Sequence, residues 1–204
     1  MDSQNSVGAT QSPDALAYLH AGRLRVEGAL AHYLPQADSP AGTLAEAMRY
    51  AVLAGGGKRL RPVLCMATAE ALGAEPDSVL PAACAIELIH TFSLVHDDLP
   101  ALDDDVLRRN LPTCHVAYGE AVALLAGDAL LVLAFEVLLD QLRFSPPAPV
   151  LEVMKLLTQA SGPDGLAGGQ VANILAEGQQ EHSNWFAKKG VRLQPDLHEF
   201  SEGA

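Results

Sequence analysis

Cysteine is scarce in this chain of 204 residues, and the cysteines that it has are widely separated. The three residues are Cys65, Cys84 and Cys114. An odd number of scattered cysteines fits neither a disulfide framework nor the paired spacing of a zinc site. We therefore predict buried, free thiols in a protein of a reducing compartment.

Basic residues are also few, with 13 lysines and arginines against 25 aspartates and glutamates, which gives a formal net charge of −12. This acidity argues against nucleic acid as a partner, because nucleic-acid binding needs a basic surface. It disfavours adhesion to anionic membranes for the same reason.

Long uncharged apolar runs are missing too. The most apolar stretch, residues 116–139, is interrupted by Glu120, Asp128 and Glu136, and a membrane span needs about 18 or more apolar residues. The first residues, MDSQNSVGATQSPD, are polar and acidic, unlike a secretory signal peptide. We expect a cytoplasmic protein that does not enter a membrane.

Apolar residues recur at helical spacing along most of the chain, and strand signals are almost absent. The sequence predicts seven helices. They run from Ser12 to Leu34, from either Ser39 or a Thr43–Glu46 capping box to Gly55, from Pro62 to Gly73, from an N-cap at Asp77 to Val95, from Tyr118 to Leu142, from Ala148 to Ala160 and from Gly165 to Glu177. Seven helices with short connections predict an all-α bundle. We expect one domain over residues 1–180 and a divergent tail over 181–204, where Trp185, Lys188, Lys189 and Arg192 lie.

The segment GGGKRLRP, residues 55–62, concentrates cations in an acidic chain. Glycines allow a close approach of backbone to ligand, and a helix predicted to begin at Pro62 would present its positive dipole end. Lys58 and Arg61 could then bind an anion beside that terminus. The spacing is not that of a Walker loop. The alternative is a solvated basic turn.

A second segment, Asp97 to Asp105, contains five carboxylates and follows an apolar helix. Carboxylates this close repel one another unless a cation neutralises them, and Mg²⁺ binds through a few carboxylates plus substrate phosphates. The EF-hand pattern is absent. Arg108 and Arg109 follow at once, so we favour a metal and phosphate site over an acidic helix end in solvent.

His90 precedes Asp97 by seven residues, which is two helical turns. Both side chains therefore lie on one helix face and can point toward one cavity. A lone histidine on an apolar helix is more often a core residue, but a nearby diphosphate favours a hydrogen-bonding role. No partner is evident in the sequence for His96 or His115, and both are interpreted as structural.

With these motifs the sequence resembles the trans-isoprenyl diphosphate synthases, or polyprenyl synthetases, over residues 14 to 180. The resemblance is carried by GGGKRLRP (55–62), ELIHTFSLVHDDLPALDDDVLRRNLPTCH (87–115) and AGDALL (126–131). The D-D-x-x-x-x-D form followed by R-R is typical of the bacterial short-chain branch. The resemblance implies an isoprenoid synthase-type helical bundle that works as a homodimer in isoprenoid biosynthesis. It also implies an Mg²⁺-dependent condensation of isopentenyl diphosphate with dimethylallyl or geranyl diphosphate to give farnesyl diphosphate.

The same resemblance implies roles for individual residues. The positions matching those that bind the diphosphate of isopentenyl diphosphate are Lys58, Arg61, His90 and Arg109. Asp97 and Asp103 match Mg²⁺ ligands, and Asp98 supports them in the metal site. Arg108 matches a contact to the diphosphate of the allylic substrate. Catalysis is thus expected to depend on Asp97, Asp103 and Arg108, because Mg²⁺ and arginine stabilise a departing diphosphate.

Phe92, five residues before Asp97, matches the position of a bulky aromatic residue that forms the floor of the chain-length pocket and stops growth at fifteen carbons. Ordinary core packing is the alternative for this side chain.

The resemblance also has departures. A second aspartate-rich motif and a K-T-G segment are absent, Asn173 stands where an aspartate is usual, and Lys188-Lys189-Gly190 is no convincing K-T-G. We therefore expect an incomplete synthase domain, truncated or altered after about residue 180. The alternative to an active enzyme is a catalytically silent chain, either a remnant or a partner of a complete synthase.

Overall fold

The computed structural model describes residues 15–176, and most of these are helical. The α-helices are α1 Ala15–Tyr33, α2 Thr43–Leu53, α3 Leu60–Ala71, α4 Leu80–Asp97, α5 Cys114–Tyr118, α6 Glu120–Leu139, α7 Pro147–Ser161 and α8 Leu166–Ala176. Short 3-10 helices, Pro76–Val79 and Asp140–Arg143, precede α4 and follow α6. Apart from the single-turn α5, these are the seven predicted helices, and the all-α prediction is confirmed.

The core is built around α4, which packs along α6 and also contacts α1, α2 and α3. Small buried residues let α4 and α6 approach closely, and these are Ala82, Ala83 and Ala85 on α4 and Ala123, Ala126, Gly127 and Ala134 on α6. Leu88 and Leu130 add the larger, fully buried side chains. A helix held on several sides is a rigid support for whatever side chains its end carries.

Several predicted helix ends are wrong, for reasons of backbone conformation. Helix α3 begins at Leu60 rather than Pro62, because Arg59 adopts a left-handed conformation and acts as its N-cap. The predicted capping box of α2 does not form: Gly42 is the N-cap and no side chain caps the helix. The predicted helix Tyr118–Leu142 is divided at Gly119, whose φ of 86° interrupts it. Asp77 lies within a 3-10 helix rather than capping α4.

A hairpin between α4 and α5 is the one pair of strands among residues 15–176. Its strands are β1 Leu107–Arg108 and β2 Leu111–Pro112, paired antiparallel with Arg108 opposite Leu111. The two turn residues, Arg109 and Asn110, both have positive φ, as a tight hairpin turn requires. The hairpin therefore fixes the direction of the two consecutive arginines.

All three cysteines are free thiols, as predicted. Cys84 and Cys114 are buried, whereas Cys65 is half-buried. Burial raises the pKa of Cys84 to about 12 and that of Cys114 to about 11. Thiols with such pKa values are poor nucleophiles at neutral pH.

By length and composition, the segments Pro76–Asp97 and Glu120–Arg143 are long and apolar enough to cross a membrane. The most apolar stretch of the first segment is 56% buried inside the protein, and that of the second segment is 39% buried. The packing of α4 against α6 buries part of both segments.

The chain divides into two compact units, residues 1–154 and 155–204. Every predicted site residue from Lys58 to Arg109 belongs to the first unit. The predicted boundary at residue 180 and the tail with Trp185, Lys188, Lys189 and Arg192 lie outside the described residues, as do Ser12 and Pro13 at the predicted start of α1.

Candidate active site

Helix α4 carries three ionisable side chains, Glu87, His90 and Asp97, at helical spacing. Glu87 is buried, while His90 and Asp97 are half-buried. Because these positions are separated by one and two turns, they follow one side of the helix. The predicted common face of His90 and Asp97 is therefore present in the structure.

The loop between α2 and α3 depends on its glycines. Gly55 and Gly56 have φ of 75° and 55°, values that favour glycine. At Gly57 the requirement is space, because a Cβ there would lie 2.7 Å from Nη1 of Arg109 and 2.9 Å from Nη1 of Arg59. The third glycine thus allows two guanidinium groups to approach the backbone of the loop.

Lys58, Arg61 and Arg109 share a property that sets them apart in this acidic protein. All three are exposed, and none forms an ion pair or a side-chain hydrogen bond with any residue in 15–176. By contrast, Arg25 and Arg143 pair with neighbouring carboxylates. Unpaired cations in a chain of net charge −12 leave a local positive potential, which favours an anionic ligand.

The lowered pKa of His90 also favours an anionic ligand at this place. Its pKa is lowered by burial and then by the positive charge of Arg61, with further lowering by Arg109 and Arg108; Glu87 opposes the shift. The pKa of Arg109, an exposed residue, is lowered by the partial burial of its guanidinium group and then by the positive charge of Arg59. The structure therefore brings Arg61, Arg108 and Arg109 close enough to His90 for their charges to act on it, and a bound anion would relieve this repulsion.

Asp97 and Asp103 are brought together where α4 ends. The amide of Asp103 donates to the carbonyl of Asp97 over 2.8 Å. The pKa of Asp97 is raised by burial and then by the negative charge of Asp103. Two carboxylates that repel each other fit Mg²⁺, which binds through one or two carboxylates together with water and phosphate. Within residues 15–176 no group of three or more His, Cys, Asp or Glu side chains is placed to hold a metal.

The carboxylate of Asp98 forms an ion pair with Arg108. Arg108 donates from Nε to both carboxylate oxygens at 2.9 Å and from Nη2 to Oδ1 at 2.5 Å. Nη2 of Arg108 also lies 3.8 Å from Asp105. Asp98 thus orients Arg108, and both groups act on Asp97, whose pKa is lowered by the charge of Arg108 and raised by that of Asp98. The role of Asp98 in a metal site stays a prediction.

Phe92 is half-buried and contacts His96, with ring centroids 5.3 Å apart in an edge-on arrangement. His96 reaches α6, where its Nε2 lies 3.0 Å from the carbonyl oxygen of Leu124 and 3.8 Å from Asp128. A Cβ at Gly127 would overlap the His96 ring. His96, interpreted as structural from the sequence, therefore links the Phe92 side of α4 to the AGDALL segment.

The ion pair of Arg59 and Glu87 could not be predicted from the sequence. Arg59 is buried, and its Nη1 donates to Oε1 of Glu87 over 2.9 Å. The available signal was Glu87 itself, because a buried acid on an apolar helix requires a partner. Nothing in the sequence indicated which of the neighbouring cations supplies it.

Comparison with known proteins identifies the family. A sequence model of the polyprenyl synthetase family matches residues 42–189, and the chain belongs to this family. The farnesyl diphosphate synthase of Geobacillus stearothermophilus is 47% identical over 164 residues, which are 79% of this chain and 54% of that protein. The geranylgeranyl diphosphate synthase of Cyanophora paradoxa is 42% identical over 166 residues, 81% of this chain and 54% of that protein.

Solved structures agree on the isoprenoid synthase fold. A geranyltransferase from Legionella pneumophila superposes with a TM-score of 0.79 at 35% identity, over 85% of this chain and 61% of that one. An FPP/GFPP synthase from Zymomonas mobilis gives a TM-score of 0.76 at 40% identity, over 82% and 61%. The chain spans about half the length of the two curated relatives named above.

Proposed function

We propose that this chain binds isopentenyl diphosphate and an allylic diphosphate, dimethylallyl or geranyl, and joins them. Dimethylallyl diphosphate would give geranyl diphosphate, and condensation of geranyl diphosphate with a second isopentenyl diphosphate would give farnesyl diphosphate. The observation that carries the proposal is that the unpaired cations Arg61 and Arg109 lie close enough to His90 for their charges to act on it, with Lys58 unpaired three residues before Arg61, in a chain of net charge −12. Family membership supplies the class of ligand.

In this mechanism, the two diphosphates bind at different parts of the site. Lys58, Arg61, His90 and Arg109 hold the diphosphate of isopentenyl diphosphate and orient its double bond. Arg108, held by Asp98, donates hydrogen bonds to the diphosphate of the allylic substrate. Mg²⁺ bound by Asp97 and Asp103 would neutralise charge on the departing diphosphate.

The reaction breaks the allylic carbon–oxygen bond, and the electron pair leaves with inorganic diphosphate. The double bond of isopentenyl diphosphate then attacks the allylic cation, and one proton is lost to give the new double bond. Arg108 stabilises charge that develops only as the bond breaks, which is where an interaction accelerates the step. An apolar surface that includes Phe92 keeps water from the cation.

A fifteen-carbon product is the finer part of this proposal. Phe92 supports it, because a bulky side chain at this position would limit the space for a growing chain. The relatives include both farnesyl and geranylgeranyl diphosphate synthases, so the product must be measured.

A second candidate function is binding of diphosphates without turnover, as a partner of a complete synthase. It is favoured by the engagement of Asp98 with Arg108, and by the lack, among residues 15–176, of a group of three or more His, Cys, Asp or Glu side chains placed to hold a metal. We also propose that the protein is cytoplasmic and that it associates with itself as a homodimer. Exposed apolar side chains on α6, including Leu125 and Val132, support self-association, and sedimentation velocity would measure it.

Calorimetric titration of the chain with isopentenyl diphosphate tests the binding step. The wild type and an Arg143→Ala control should bind with equal affinity, because Arg143 is exposed, pairs with Asp140 and is not among the residues assigned to the site. Arg61→Ala should bind at least tenfold more weakly, since a charged hydrogen bond contributes about 1.5 to 3 kcal/mol. Equal binding by all three proteins would contradict the proposed site.

A further inference from the structure

Arg59 differs from the cations on either side of it. Lys58 and Arg61 are exposed, whereas the Arg59 side chain is 1% exposed. Its backbone is left-handed, with φ 51° and ψ 33°. The chain therefore turns this one cation of the loop inward and leaves its neighbours at the surface.

The Arg59 guanidinium connects three helices. Nη1 donates to Oε1 of Glu87 on α4 over 2.9 Å, and Nη2 donates to the carbonyl of Val52 on α2 over 2.5 Å. Nε lies 3.8 Å from Glu27 on α1. Because Arg59 is itself the N-cap of α3, these contacts fix where the preceding loop ends and α3 begins.

The partner, Glu87, is equally buried, with a side chain 4% exposed. It lies three residues before His90 on α4, so a single helical turn separates the loop's buried anchor from the histidine. Arg109 joins the same cluster, since a Cβ at Gly57 would meet Nη1 of both Arg59 and Arg109. Arg59 thus lies between Lys58 and Arg61 in the sequence, and Glu87 lies one turn from His90. With Arg109 at Gly57, the ion pair adjoins the groups that the proposed function assigns to isopentenyl diphosphate.

We propose that Arg59 and Glu87 are positioning residues of the diphosphate site. Their ion pair sets the distance between the start of α3, where Lys58 and Arg61 lie, and the helix that carries His90, without contact to the ligand. This inference rests on the proposed function, because it concerns the same site.

A purely structural role is the competing explanation, and variants separate the two. Replacing both residues of a buried ion pair by apolar ones is often neutral for stability, whereas removing one partner is costly. The double variant Arg59→Met/Glu87→Met tests loss of the pair without leaving a buried charge. Glu87→Gln retains an acceptor for Arg59 and removes only the charge. Arg59→Lys keeps the charge but cannot reach Glu87 and Val52 as a planar fork does.

The experiment is a calorimetric titration with isopentenyl diphosphate, and separately with inorganic pyrophosphate, at a temperature where circular dichroism shows each variant folded. Arg143→Met is the control for loss of a cation outside the site. We expect the double variant and Arg59→Lys to bind roughly 10- to 100-fold more weakly than wild type, as when residues that orient ligating groups are removed. Glu87→Gln should bind more weakly by a smaller factor, and Arg143→Met should bind as wild type.

Each result decides the question. Folded variants that bind as tightly as wild type would overturn the positioning role and leave the proposed function standing. Variants that do not fold at any temperature tested would show a folding role and would also overturn it. A wild-type chain that binds neither ligand would overturn the proposed function and the positioning role together. The ratio of variant to wild-type affinity therefore tests this inference separately from the wild-type value.

Discussion

Asp98 and Arg108 form an asymmetric ion pair in which the acid is buried and the base is not. The Asp98 side chain is 4% exposed and that of Arg108 is 33% exposed. Arg108 binds both carboxylate oxygens of Asp98 and lies near Asp105 as well. Arg108 therefore has other ways to satisfy its charge, whereas Asp98 depends on Arg108.

Stability should consequently respond unequally to loss of the two residues. Arg108→Met leaves a buried carboxylate without a partner and should cost about 3 kcal/mol of unfolding free energy, the lower end for a broken buried pair because Arg108 is 33% exposed. Asp98→Asn keeps an acceptor and frees an arginine that can reach water, so it should cost about 1 kcal/mol. Urea unfolding measures both values. Equal losses would show that the burial of Asp98 does not control this pair.

Lys58 should contribute to the affinity for isopentenyl diphosphate rather than to the stability of the fold. Lys58→Ala should weaken binding of isopentenyl diphosphate by about tenfold or more. It should leave the unfolding free energy within about 0.5 kcal/mol of wild type, because Lys58 is exposed and forms no ion pair among the described residues. Titration calorimetry and urea unfolding give the two numbers. A loss of stability with unchanged affinity would contradict the assignment.

His90 should show a pH effect whose sign follows from its lowered pKa. Burial and Arg61 lower the pKa, Arg109 and Arg108 add to the effect, and Glu87 opposes it. The unfolded chain then takes up a proton at about pH 6.5, before the folded chain does. This histidine should make the folded state less stable as the pH falls through about 6.5, and His90→Gln should remove that contribution.

The direct measurement for His90 is an NMR titration of its ring. Without ligand the pKa should lie below the value of about 6.5 that is usual for histidine. Inorganic pyrophosphate should raise it, since a bound anion offsets the arginine charges. A pKa at or above the usual value in the free protein would contradict the geometry described for this site.

Phe92 should control product length. Phe92→Ala removes the bulky side chain and should give products longer than fifteen carbons, measured by mass spectrometry. Phe144→Ala is the matched control, because Phe144 is 55% exposed and lies outside the site. Unchanged products from Phe92→Ala would leave core packing as the role of this side chain.

Gly127 and His96 should be coupled in stability. Gly127→Ala places a Cβ where the His96 ring lies and should cost about 1 to 3 kcal/mol through overpacking. With His96→Ala as background, the same change should be neutral or stabilising, because alanine favours a helix over glycine by about 1 kcal/mol. A double-mutant cycle by urea unfolding tests this, and additive effects would exclude contact between the two.

Much of the fold could be predicted from the sequence because helical periodicity is a local property. Helices α7 and α8 begin and end within one residue of the predicted bounds. For α7 the signals are local, because Pro147 marks its start and Gly162 follows its end. Arg59 could not be predicted in this way. Its left-handed backbone, and the burial that follows, depend on Val52 and Glu87, which come from other elements.

The site shows the same division. The spacing of His90 and Asp97 predicted their shared helix face, and the grouping of Arg108 with the aspartates was visible in the sequence. The hairpin turn that separates Arg108 from Arg109 was not, because it depends on two positive φ values at Arg109 and Asn110. Consecutive arginines thereby acquire different partners: Arg108 binds Asp98, while Arg109 lies against the loop at Gly57.

The most direct test of the account is turnover. The chain is incubated with Mg²⁺, isopentenyl diphosphate and geranyl diphosphate, and any product is identified by mass. We predict farnesyl diphosphate, with formation abolished or strongly reduced in Arg61→Ala and unchanged in Arg143→Ala. No product, while a full-length relative is active in the same reaction, would contradict catalysis by this chain, and binding of isopentenyl diphosphate in the same sample would then assign it to the second candidate function.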